Sequence, residues 1–142
     1  MLVTSIDEGA RGTTVRSDRL CVLDGERIAI RSRGSTQLLS REEIVCARAA
    51  KNGTWIVTRR GEFKVREPMG AVVERLEVLG IVRIHRGIAV NATKIRQLVG
   101  RSQHRLVVIL DDAGSYEVGR RFQRSIRARF GAAVRTDVTR MA

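Results

Sequence analysis

The sequence predicts a mainly β domain. Antiparallel sheets stack in a sandwich-like way, joined by one amphipathic helix and a short C-terminal helix. Three observations carry that expectation. Short apolar runs alternate with turn residues at intervals of roughly 8 to 12 positions, as in all-β folds. Only residues 69–79 space their apolar side chains as a well-formed amphipathic helix does. Near the end, Phe122, Ile126 and Phe130 recur four apart on an otherwise polar segment. The 142 residues suffice for one compact domain, and no internal repeat divides them.

Residues 1–18 are polar, contain Gly and Thr and show no periodicity, so they are expected to be a flexible lead. Residues 19–131 form the expected domain, and residues 132–142 an expected flexible tail. Residues 20–23 and 27–31 flank Asp24-Gly25, a pair suited to a tight hairpin turn at positive φ. Gly34-Ser35 breaks this hairpin, and Leu38-Leu39 resumes an apolar segment. Ser40 and Glu43 have the spacing of a capping box, which allows one helical turn. Residues 44–47 read as a buried strand, residues 51–54 as a turn, and residues 55–58 as the return strand with Trp55 as a core anchor. Arg60-Gly61 turns into residues 62–66, which alternate polar and apolar.

Pro68 stands where a helix begins, because its missing N–H costs nothing there. Met69, Val72, Val73, Leu76 and Leu79 then share one helix face, and Gly80 stops the helix. That stripe is core. Residues 81–84 are a strand interrupted by His85-Arg86-Gly87, and residues 88–90 and 95–99 continue the sheet. Residues 100–104 are a polar turn, and residues 106–110 and 115–118 a hairpin. The closing helix has a narrow seam of Phe122, Ile126 and Phe130, and Gly131 ends it.

Charge points to the partner. Lys plus Arg number 27 against 15 Asp plus Glu, a net charge of +12; the pI is near 11.4. All the cations but Lys51, Lys64 and Lys94 are arginine. Residues 78–110 contain no acid but hold Arg83, Arg86, Lys94, Arg96, Arg101 and Arg105. Residues 118–136 are also acid-free and hold Arg120, Arg121, Arg124, Arg127, Arg129 and Arg135. Clustered cations without anions between them suit a polyphosphate partner.

Other functions find no support in the residues. Two histidines and no CxxC argue against a metal or cofactor site. There is no GxSxG nucleophile motif and no carboxylate pair at a strand end, so no catalytic residues are assigned and an enzyme is not expected. Cys21 and Cys46 lie in apolar runs and are expected to be buried free thiols of a reducing compartment. No apolar run is long enough for a membrane span and the N-terminus lacks a signal core, so a cytoplasmic protein without membrane insertion is expected.

Residues 84–95 read IHRGIAVNATKI. This stretch is similar to the His-Arg-Ser…Val-Asn…Ile signature of LytTR DNA-binding domains. The strand order around it fits that family, and Val118-Gly119-Arg120-Arg121 resembles its closing Val-Ser-Arg pattern. The likeness runs from about Thr36 to Gly131, with Gly87 and Gly119 where the family usually has Ser. The resemblance implies three antiparallel β elements whose loops, rather than a recognition helix, reach base edges in the major groove. It also implies binding to direct repeats with a second copy on the neighbouring half-site.

By position the resemblance assigns base reading to Arg86, Arg120 and a residue of the 52–54 turn, Asn52 or Thr54. Arginine suits this because its fork matches guanine O6 and N7. Lys51, Lys94, Arg101 and Arg121 sit on expected turns or ends and suit phosphates, as do His85 and Asn91. His85 is open between phosphate contact and packing on the strand bend, and Asn91 between phosphate contact and a turn bonded to its own backbone. Arg124 and Arg127 are open between DNA and a solvated face.

The expected partner is double-stranded DNA. The alternatives are an RNA-binding module and an interaction protein on the same scaffold. About 35 residues precede the likeness, too few for a receiver domain, so the expected source of signal is a separate protein such as a sensor or small membrane regulator, a ligand, or expression level.

Overall fold

The structure, a computed structural model, describes residues 14–16, 19–32, 34–102, 105–111 and 114–130. The expected tail at 132–142 and most of the expected lead lie outside the described residues. The strands are β1 (Thr14–Arg16), β2 (Arg19–Val22), β3 (Arg27–Ser32), β4 (Ser35–Ser40), β5 (Ile44–Ala50) and β6 (Gly53–Thr58). They continue as β7 (Gly61–Val65), β8 (Ile81–His85), β9 (Ile88–Asn91), β10 (Ile95–Ser102), β11 (Arg105–Leu110) and β12 (Ser115–Glu117). The helices are α1 (Met69–Leu76) and α2 (Arg120–Phe130).

A central sheet of order β1-β7-β6-β5-β9-β8 lies between two three-stranded sheets, β2-β3-β4 and β10-β11-β12. The pairing is antiparallel except at one edge, where β1 runs parallel to β7. Alternation along the central strands sends neighbours to opposite faces. Ala47, Ile56 and Ala89 join Leu20, Ile28, Ile30 and Leu39 of the β2-β3-β4 sheet and Met69, Val72 and Leu76 of α1 in one core. Their neighbours Cys46 and Val90 join Leu106, Val108 and Leu110 of the third sheet and Ile126 of α2 in a second core. The sandwich is therefore a double one, with the central sheet apolar on both faces.

Several details differ from the expected elements. Thr14–Arg16 of the expected lead is a strand, because it finds the open edge of β7. The turn between β2 and β3 is not a two-residue turn at positive φ. The Asp24 carboxylate closes it by accepting from the Glu26 and Arg27 N–H groups at 2.8 and 3.1 Å. β10 extends through Ser102, so the polar turn after it is shorter than residues 100–104. Cys21 is exposed while Cys46 is buried. Phe63 is fully buried; Trp55, expected as a core anchor, and Phe122 and Phe130 of the helix seam are half-buried. The Lys64 ammonium lies 5.9 Å from the Trp55 ring centre.

The single helical turn at Arg41–Glu43 is present, and Glu43 reaches back to the Ser40 N–H at 2.9 Å. α1 follows Pro68 and passes through a 3-10 turn to Gly80, whose φ of 87° ends it.

Candidate nucleic-acid interface

Three chain turns meet at one end of the central sheet. The first joins β5 to β6, with Ala50 paired to Gly53 and Lys51-Asn52 exposed at the tip. Asn52 has φ 63°, a region asparagine tolerates better than most residues. A Cβ on Gly53 would fall 2.2 Å from the Val65 carbonyl oxygen, so only glycine lets the turn lie against β7.

The second turn is His85-Arg86-Gly87, between β8 and β9. It is pinned at three points. The Gly87 carbonyl accepts from the Ala49 N–H at 2.9 Å, which ties it to the first turn. The Gly87 N–H donates to His85 Nδ1 at 3.2 Å. Arg83 Nη2 donates to the Arg86 carbonyl at 2.6 Å. The His85 and Arg86 side chains remain exposed.

The third is the start of α2. The Gly119 N–H donates to the Ile84 carbonyl at 2.7 Å, and the Val118 N–H to Leu106 at 2.8 Å. A Cβ on Gly119 would stand 3.5 Å from His85 Cδ2, so Arg120 begins its helix beside the Arg86 turn. Arg120 and Arg121 are exposed there.

Arg86, Arg120, Lys51, Asn52, His85 and Arg121 are thus brought to one end. The backbone of Arg101 reaches the same end, because its neighbour Gly100 pairs with Leu106; its side chain lies outside the described residues. Three other assignments need correction. Thr54 is fully buried, and its hydroxyl donates to the Glu67 carbonyl at 2.7 Å, so it presents nothing to a base. Asn91 is also fully buried. Its amide donates to the Arg41 and Ile44 carbonyls, both at 2.8 Å, and accepts from the Thr93 N–H at 3.0 Å. It is an interior clamp at the far end of β9, not a phosphate contact. Lys94 follows it on the 3-10 turn Ala92–Lys94, about four strand residues or ~13 Å from Gly87 along β9.

Residues 34–131 match the family profile described as LytTr DNA-binding domain. The chain belongs to the LytTR DNA-binding domain family. The LytTR region is also similar to the transcriptional regulatory protein LytR of Staphylococcus aureus strains N315 and NCTC 8325. In each case identity is 26% over 94 residues, which is 66% of this chain and 38% of the relative. The chain therefore spans well under half the length of the curated relatives it matches. The fold is similar to the LytTr DNA-binding domain of a Bacillus cereus protein described as a methyl-accepting/DNA response regulator. That likeness has a TM-score of 0.64 at 12% identity and covers 75% of this chain and 97% of the other.

Among the described residues no group of three or more His, Cys, Asp or Glu could hold a metal ion, and no helix is long and apolar enough to cross a membrane. One residue of the LytTR end escaped sequence reasoning. Arg83 counted only as one more cation of a basic window. Its sole signal was a spacing of three from Arg86 across a turn. The register shift between Arg83 and His85 marks a bulge, which re-aims side chains in a way that strand alternation does not reveal.

Proposed function

We propose that this LytTR domain binds double-stranded DNA sequence-specifically, as part of a transcriptional regulator acting in the cytoplasm. Arg86, Arg120 and Asn52 read base edges in the major groove, while Lys51, His85, Arg101 and Arg121 hold flanking phosphates. The observation that supports this most is the meeting of three exposed, cation-bearing turns at one end of a sheet whose two faces are both occupied by core. A rigid platform of this kind lets arginine forks meet guanine edges without first ordering a loop. A second copy on a direct repeat doubles the footprint, and a separate sensor or small membrane regulator supplies the signal. Nothing in the geometry of the described residues favours RNA; half-buried Trp55 already carries Lys64 over its ring.

The test is binding to genomic fragments at a series of salt concentrations. The logarithm of affinity should fall by about 0.9 per decade of salt for each phosphate neutralised. R86A should lose roughly 1–3 kcal/mol at one base position and relax the preference there. A salt-independent affinity, or unchanged preference in both R86A and R120A, overturns the proposal.

A further inference from the structure

We propose that Arg83 is a positioning residue for DNA reading, which sets the spacing between the Arg86 turn and the Arg120 helix start. The inference rests on the reading proposed above. Arg83 is half-buried on β8, the edge strand next to α2. Its Nη2 holds the Arg86 carbonyl at 2.6 Å. The same guanidinium lies 5.7 Å from the ring centre of Phe122, two residues beyond Arg120. One planar group therefore touches the backbone of one reading arm and the first turn of the other.

The surroundings do not explain this arginine as a stabilising device. Its Nε is buried and is the one such side-chain nitrogen or oxygen without a hydrogen-bond partner among the described residues. A buried donor left unpaired in a native structure asks for an explanation beyond stability. A Cβ on Gly70 would lie 3.9 Å from Nη1, which places the cation beside the start of α1. That is the end of a helix where positive charge is disfavoured. An apolar side chain would fill the same half-buried space without these penalties. Only a long, planar, always-charged group can donate to the Arg86 carbonyl while lying along an aromatic ring. Local rules broken together at one residue mark a functional position.

The test compares wild type, R83M and R83K on a panel of sites that vary one base pair at a time. R83M should stay folded, with a melting temperature equal to or above wild type. Its salt slope should be unchanged, because Arg83 touches no phosphate. Discrimination at the position read by Arg86 should fall about ten-fold, within the range a bidentate contact supplies. R86A added to R83M should cost nothing further at that position, since the two act as a unit. R83K should restore only part of the discrimination.

Full discrimination in R83M overturns the inference. So does a shallower salt slope, which makes Arg83 a phosphate contact instead. Should R83M fail to fold, F122L removes the ring under the guanidinium while keeping a smaller apolar side chain in the helix seam. It should weaken discrimination at both arginine-read positions, and unchanged preference there overturns the inference equally. Absence of base preference already in wild type overturns the DNA-reading proposal first, and is told apart by that.

Discussion

The Asn91 side chain holds two carbonyls of the chain around Arg41 and Ile44 and caps the turn at Thr93, with no exposed surface. The amide and its Ile44 carbonyl partner are both buried, so removing the side chain leaves that carbonyl without its donor. N91A should therefore lose stability by roughly 1–3 kcal/mol, read by urea denaturation, while the folded fraction keeps its DNA affinity. Lower affinity at full folding would return Asn91 to the interface. Spacing alone could not separate these roles. Val-Asn before a turn looks the same in sequence whether the amide faces a phosphate or the interior. Thr54 misled for a related reason. Its position after Gly53 is a turn position in sequence, but pairing with Val65 makes it the first inward residue of β6. Arg86 and Arg120 were assigned through the family resemblance rather than through any local pattern, and the fold exposes both at one end of the central sheet.

At the level of elements, period was the reliable guide. The spacing of Met69, Val72 and Leu76 found α1, and the alternation in residues 62–65 found β7. β1 was hidden because three residues, Thr-Val-Arg, contain no period; only the free edge of β7 makes them a strand. α2 was found by its seam, but what its other face does needs energetic argument. Arg120 and Arg121 stand in the first turn, where the helix dipole disfavours cations. Arg124 faces Arg120 at i−4, Arg121 at i−3 and Arg127 at i+3. Like-charge pairs at these spacings each cost about 0.2–0.5 kcal/mol. R124Q should therefore raise the melting temperature at low ionic strength. The gain should vanish at high salt, where screening removes the repulsion. Non-specific DNA affinity should drop in the same variant if the row meets phosphates. Equal melting temperatures at low salt would show that the pairs are already relaxed by solvent.

For the whole molecule, the double-faced central sheet has a chemical signature in its second core. Cys46 lies buried on the face toward β10-β11-β12, in the core against which Tyr116 of β12 packs. Burial pushes the Cys46 thiol above its ordinary value of 9.0 and the Tyr116 phenol above its ordinary 10.0. Desolvation is the larger cause in both, because the charged form has lost its water. The sign follows from linkage. The unfolded chain releases these protons at their ordinary pKa values, before the folded one does. Stability from keeping them neutral is complete below about pH 9, and is lost as pH rises through the folded values. The melting temperature should fall on the alkaline side, and the variant C46V with Y116F should show a shallower fall. Thiol labelling reads the same architecture at neutral pH. Cys21 is exposed and should react in the native protein, whereas Cys46 should react only after unfolding. If both thiols were labelled at one rate without denaturant, the third sheet would not close over the central one. The α2 start anchored to that sheet would then no longer be held beside the Arg86 turn.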